Sequence, residues 1–350
     1  MSDSEFSFFT LFILFIVTIL MVDLGIFNKR VHEIKFKEAL IWCGVWLIFA
    51  FSFFIFLKFK GDLIHSPSSI RDLQELTIKY KHNIDLSTAT DYNTALKIYK
   101  NNLGLEYLTG YLIEYALSVD NVFVMVLIFL AFGMRKKHYK RILFWGILGA
   151  IVLRFIFIFV SSALIIQFHW ILYIFGGFLV LTGIWMFYSR DKENKIEPQN
   201  HPIVKFSSRY FNVFPRSVAN HFVIRKNKIL MITPLFIVLL VIEFSDIIFA
   251  VDSIPAIFSV TNDPFIVFFS NIFAIIGLRS LFFLVMNIID KFHYLKVGLS
   301  ILLTFIGVKM LIGNWLKVVG FTTADSLYIV LMILIVSIGA SVIFPKKIEE

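Results

Sequence analysis

The sequence predicts an all-α polytopic membrane protein of about nine transmembrane helices, six of them forming two inverted three-helix repeats, spans 3–5 and 6–8. Hydrophobic residues make up 59% of the 350 residues, 42 of them Phe, and only 16% are charged, which is far from the composition of a soluble domain. Basic residues collect in alternate loops. Carboxylates recur at matching places inside two apolar runs.

A bilayer core takes about 20 apolar residues per helix. Runs of that kind occupy 6–27, 37–57, 104–133, 142–164, 168–188, 229–259, 265–289, 294–312 and 325–344. The chain is thereby divided into two N-terminal transmembrane helices (1–57), an extracytoplasmic polar segment (58–103), a first three-helix repeat (104–188), a basic cytoplasmic loop (189–228), a second three-helix repeat (229–312), and a last transmembrane helix with a cytoplasmic tail (313–350).

The net charge of +9 does not point to nucleic acid, because of where it falls. Loops 28–37, 134–141, 189–228 and 290–296 and the tail hold 22 of the 33 Lys and Arg, whereas the short loops 165–168 and 260–264 hold none. This bias places the N-terminus outside and the C-terminus in the cytoplasm. The acidic start "MSDSEF" lacks the basic region of a signal peptide, so the first run reads as a retained span. The single cysteine, Cys43, lies within the second span, so disulfides play no part. Within 58–103, "SPSSIRDLQEL" and "TDYNTALKIYKNNL" each read as a capped, short amphipathic helix in a solvated connector. The 189–228 loop, basic and aromatic, is expected along the anionic inner leaflet.

Aligning "IEYALSVDNVF" with "SDIIFAVDSIP" through their Val-Asp pairs matches Glu114 with Asp246 and Asp120 with Asp252. A Leu-Arg follows in the next span of each half, at Arg154 and Arg279, and "TGIWM" matches "IGVKM" in the span after. An offset of three spans reverses direction across the membrane. That is the inverted-repeat plan, in which the substrate site lies at the midplane between the halves.

A charge at the centre of a span costs about 2.5–3.5 kcal/mol and normally faces a protein interior or an aqueous path. On a regular helix Glu114, Ser118 and Asn121 share one face, with Asp120 about 120° away. Glu243, Asp246 and Ser253 likewise share a face, with Asp252 offset. Either the acids of each pair do different work or the helix is distorted between them, and Pro255 argues for distortion in the second half. Five deep acids (Glu114, Asp120, Glu243, Asp246, Asp252) face three bases (Arg154, Arg279, Lys309), an excess that one divalent cation or two protons would cancel; Asp23, near the end of span one, would alter the sum. The donors are all oxygen, which suits Mg, Ca or Mn. Arg154 and Arg279 are expected to pair with the acids and hold the halves together, and Lys309 to act as a counter-ion or to snorkel. No Ser-His-Asp order, HExxH, Walker loop or nucleotide fingerprint occurs, so no enzymatic activity is expected.

The stretches "GYLIEYALSVDNVFV", "ILGAIVLRFIFIF", "TPLFIVLLVIEFSDIIFAVDSIPAIFSVTNDPFIVFFSNIFAIIGLRSLFF" and "YLKVGLSILLTFIGVKML" closely resemble the TerC family of integral membrane proteins, over nearly the whole chain. The resemblance implies a membrane protein of a family named for tellurium resistance and associated with manganese efflux. Its acidic motif positions fall on Glu114, Asp120, Asn121, Glu243, Asp246 and Asp252. Two positions depart from the pattern: Tyr115 and Trp185 stand where the family often has Lys.

The resulting expectation is a carrier exporting a divalent cation, manganese foremost, with Asp120 and Asp252 nearest the ion. Glu114 and Asp246 would be second ligands or proton carriers, and Ser118, Ser253, Arg154, Arg279 and Lys309 would support them. Its partners are the lipid bilayer, the metal ion and protons as coupling ion, with no tightly bound cofactor and no nucleic acid. Two other readings stay open: a metal sensor or scaffold acting through 189–228 without transport, and a calcium or other divalent cation–proton exchanger.

Overall fold

A computed structural model of the chain describes residues 3–27, 36–87, 89–168, 170–189, 202–214, 221–226, 229–286 and 294–343. The helices are α1 (Asp3–Phe27), α2 (Phe36–Lys60), α3 (Asp62–His65), α4 (Ile70–Tyr80), α5 (Tyr92–Ala131), α6 (Tyr139–Gln167), α7 (Ile171–Tyr188) and α8 (Pro202–Tyr210), then α9 (Pro234–Phe258), α10 (Pro264–Ile276), α11 (Leu278–Met286), α12 (Leu295–Leu311), α13 (Gly313–Val318) and α14 (Thr323–Ile343). An antiparallel hairpin of β1 (Val223–Lys226) and β2 (Ile229–Ile232) precedes α9.

Among the described residues, α2, α5, α6, α7, α9 and α14 are long and apolar enough to cross a membrane, and the bent pair α10 and α11 makes a seventh if counted as one span. The two other expected spans coincide with shorter apolar helices, α1 over Glu5–Leu20 and α12 over 17 residues. The bundle is organised around α10, whose 13 residues are all buried. A helix apolar on every side belongs at the centre, and its phenylalanines lock neighbours in place. Phe268 and Phe269 meet Phe9 and Phe12 of α1, while Phe269 and Phe273 meet Phe53 of α2. The outer helices turn Ile48, Leu181 and Ile335 outward, as a lipid-facing surface requires.

Several boundaries differ from the sequence reading. The 58–103 segment is not a solvated connector: Ile64, Leu73, Tyr99 and Leu103 are buried in one cluster with residues of α1, α2 and α10, so α3, α4 and the first turns of α5 form a cap over one end of the bundle. α4 starts with the expected capping box, Ser69 with Asp72, and closes on Lys81 in the left-handed region. The second helix starts as expected on an Asp91 cap but is not short. It continues through Gly104 into the third span as one helix of 40 residues, because no proline interrupts it and a Cβ at Gly104 would press on Phe54 and Lys58 of α2. Residues 229–232 are strand rather than span, since Thr233 precedes a proline and is extended, and Pro234 then starts α9 at its first turn.

α9 runs helical through Pro255, so the helix is not interrupted there. The break falls instead at Gly277, where α10 and α11 meet at 42°. The basic stretches 28–35, 190–201, 215–220, 287–293 and 344–350, and the Asp23 side chain, lie outside the described residues.

α5 packs on α10, α9 on α6, and α7 runs the length of α12. In the last seam Gly176 meets Gly307 while Gly183 meets Ser300 and Thr304, so the two helices are antiparallel. A Cβ on Gly307 would sit 2.6 Å from the Gly176 carbonyl oxygen and 2.7 Å from the Val180 nitrogen, both rigid backbone. Gly307→Val should therefore lower the detergent-solubilised protein's stability in thermal unfolding by roughly 1–3 kcal/mol. Gly177→Ala, with nothing within 4 Å of its Cβ, should leave the transition unchanged or raise it slightly.

Candidate metal-ion site

The deep acids separate into two groups. In the first, Arg154 of α6 is fully buried, and its Nη1 donates to Oε1 of Glu114 on α5 and, at 3.0 Å, to Oδ1 of Asn271 on α10. Nη2 donates to Oδ1 of Asp246 on α9 at 3.3 Å. The Asn271 amide in turn donates to Oε2 of Glu114 at 3.2 Å. One guanidinium thus ties four helices together and compensates two carboxylates whose isolated burial would be prohibitive.

In the second group, Asp120 of α5 and Asp252 of α9 are only partly buried and lie within electrostatic reach of each other. Oδ1 of Asp252 accepts from the Thr182 hydroxyl of α7 at 3.4 Å, and Lys296 of α12 lies within electrostatic reach of Asp120. On the Glu114 and Asp246 faces of the same two helices, the Ser118 and Ser253 hydroxyls, the Asn121 amide nitrogen and Oδ2 of Asp246 are buried, with no hydrogen-bond partner among the described residues. Orphaned polar atoms of this kind call for water or an ion.

The regular helices explain the division. With α5 and α9 helical throughout, the offset between Glu114 and Asp120, and between Asp246 and Asp252, sends the members of each pair to different neighbours. Glu243 stands apart from both groups. Its carboxylate lies over Gly149 of α6, where any Cβ would overlap it, and within electrostatic reach of Asp246.

The two arginines have different surroundings: Arg279, buried on α11, lies within electrostatic reach of Lys140 in the first turn of α6. Lys309 lines a cavity of about 630 Å³ at the capped end, within electrostatic reach of Glu106 and away from the deep acids. Among the described residues, no three His, Cys, Asp or Glu side chains converge as ligands of a metal ion. A cation between Asp120 and Asp252 would therefore draw the rest of its shell from hydroxyl, carboxamide and water oxygens.

The sequence reading missed Asn271, Thr182 and Gly149. Asn271 was visible as a lone carboxamide in "FFSNIFAII". Thr182 and Gly149 gave no signal, because a threonine and a glycine in apolar helices are ordinary packing residues.

The family model described as integral membrane protein TerC family matches residues 99–349. The chain is 42% identical over 306 residues to an uncharacterized membrane protein of Myxococcus xanthus, covering 87% of this chain and 83% of that one. It is 40% identical over 310 residues to Alx of Escherichia coli K12, named as a candidate membrane-bound redox modulator, covering 87% and 85%. A membrane protein of Rickettsia bellii is 37% identical over 340 residues, covering 97% and 98%. No solved structure matches the chain.

The two groups of acids should respond differently to substitution. Arg154→Met leaves Glu114 and Asp246 buried without their counter-charge and should cost about 3–5 kcal/mol, read as loss of monodisperse protein on size-exclusion chromatography or as a lowered unfolding midpoint. Adding Glu114→Gln should recover part of that loss. Asp252→Asn, at a partly buried carboxylate that accepts one long hydrogen bond, should shift the midpoint little.

Proposed function

Since the chain belongs to the TerC family of integral membrane proteins, we propose that it carries a divalent cation, manganese foremost, across a bacterial inner or plasma membrane toward the outside. The observation that supports this reading is the Asp120 and Asp252 pair, partly buried within the bundle and within electrostatic reach of each other, with the Thr182 hydroxyl on Asp252 and the unpartnered hydroxyls of Ser118 and Ser253 on the adjoining faces of the same helices. Hard cations favour carboxylate, hydroxyl and carbonyl oxygens and keep part of their water shell, and the donors here are of that kind. In this reading Asp120 and Asp252 hold the ion, Thr182 and Asn121 orient it, and Glu114, Asp246 and Arg154 form the frame around which the halves move. Glu243 is placed to take up a proton or a further metal contact.

The architecture proposed with it has nine spans, with α1 and α12 counted as short ones and α10 with α11 as one broken span. Two inverted repeats, α5 to α7 and α9 to α12, are supported by the reciprocal packing of α5 on α10 and α9 on α6, and by the antiparallel α7 and α12. The positive-inside bias places the N-terminus and the cap outside and the C-terminus in the cytoplasm.

Manganese flux into proteoliposomes tests the carrier. Asp120→Asn and Asp252→Asn should each abolish flux with folding intact, and Thr182→Val should weaken apparent affinity by about tenfold. Manganese bound without flux by folded wild-type protein would favour a sensor or scaffold, while calcium displacing manganese would favour an exchanger of broader range. A redox role, carried by the name of the E. coli relative, meets the same assay. The chain's one thiol, Cys43, is partly buried on α2, and Cys43→Ser should leave flux unchanged.

A further inference from the structure

Beneath the cap lies a set of titratable groups that the cation site does not use. His65 of α3 is buried with a carboxylate on each ring nitrogen: Nδ1 is 2.8 Å from Oε1 of Glu5 on α1, and Nε2 is 2.9 Å from Oδ2 of Asp263, the N-cap of α10. A neutral imidazole has one N–H and can donate to only one of these oxygens, so both contacts together call for the imidazolium. Beside it His82, also buried, places Nδ1 3.0 Å from each carboxylate oxygen of Glu106 on α5, which also accepts from the Asn102 amide at 2.7 Å. The other titratable groups facing the histidines are Tyr80 of α4, tilted against the His65 ring at 5.0 Å, and Tyr99 of α5, edge-on to His82 at 5.4 Å. Lys309 of α12 lies within electrostatic reach of Glu106.

From this geometry we infer that the cap carries a proton-binding site. A proton held on His65 between Glu5 and Asp263, with His82 on Glu106 beside it, fastens α3 and α4 to α1 and α10, and its release loosens the cap.

The charges agree. With both histidines protonated, three carboxylates (Glu5, Asp263, Glu106) meet three cations (His65, His82, Lys309). Loss of either histidine proton leaves buried negative charge uncompensated. Burial works against a charged His65, but Asp263 and then Glu5 outweigh it and push the group up to about 9. His82 is raised in the same way, Glu106 overcoming burial. Asp263, which burial would raise, is held below the usual carboxylate range by His65 and His82.

A raised histidine contributes stability that is fully present below its ordinary value of about 6.5 and is lost as pH rises through its folded value. A depressed Asp263 contributes stability that is lost only as pH falls through its own lowered value. The cap is thus fastened in mildly acidic to neutral solution and loosens on the alkaline side. The cavity at this end, lined by Lys81, Asn83, Thr261, Asn262 and Lys309, gives water a polar approach to the layer.

The test is a histidine-labelled NMR titration of the full-length chain in nanodiscs, read beside hydrogen exchange of the cap. The resonance removed by His65→Gln should titrate with a midpoint near 9 and move toward about 6.5 in Asp263→Asn. Across the same step, exchange in peptides covering 62–82 should rise about tenfold beyond its intrinsic pH dependence. If Asp263→Asn does not fold, Glu5→Gln takes its place, and the wild-type titration stands without either. A wild-type midpoint near 6.5, or cap exchange indifferent to the step, overturns the inference. Neither readout involves cation flux, so the carrier and the proton site succeed or fail separately.

Discussion

Arg154 sits fully buried in the middle of an apolar bundle, and the arrangement of its neighbours follows from the need to compensate it. A guanidinium there is tolerable only with carboxylates and a carbonyl-type oxygen in contact, and these arrive from α5, α9 and α10. The interaction fixes the rotation of four helices at once, because a turn of any of them would strand a charge. It also settles what remains available for chemistry. Glu114 and Asp246 are drawn to the guanidinium, and Asp120 and Asp252, offset on the same helices, are left to Lys296 and Thr182.

This separation gives α5 and α9 each one acid in contact with the guanidinium and one outside that contact. Arg279 occupies the matching sequence position but stands beside Lys140, where α10 breaks into α11 at Gly277. The two stretches are alike in sequence pattern and unlike in the contacts of their arginines.

Much of this was legible in the sequence. The apolar runs located the helices, the two capped helix starts within 58–103 were visible as such, and the Val-Asp alignment singled out four acids, of which the structure buries Glu114 and Asp246 and partly buries Asp120 and Asp252. The rest depended on contacts with no sequence period. The cap could not be foreseen because its residues read as polar and short-helical until His65 and His82 find carboxylates 198 and 24 residues away. Pro255, near the C-terminus of α9, does not interrupt that helix, whereas α10 ends at Gly277 with no proline at the break. Asn271 needed Arg154 beside it before it meant anything.

The uninterrupted run of α5 from the cap to the bundle interior has a mechanical consequence. At 1.5 Å per residue the 14 residues from Glu106 to Asp120 span about 21 Å of rigid rod. A tilt of about 5° pivoting near Glu106 would carry Asp120 sideways by roughly 2 Å, comparable to the difference between a bound and an unbound ligand oxygen. By keeping the rod stiff, the chain makes the position of its outermost layer and the spacing of its innermost carboxylates one mechanical variable.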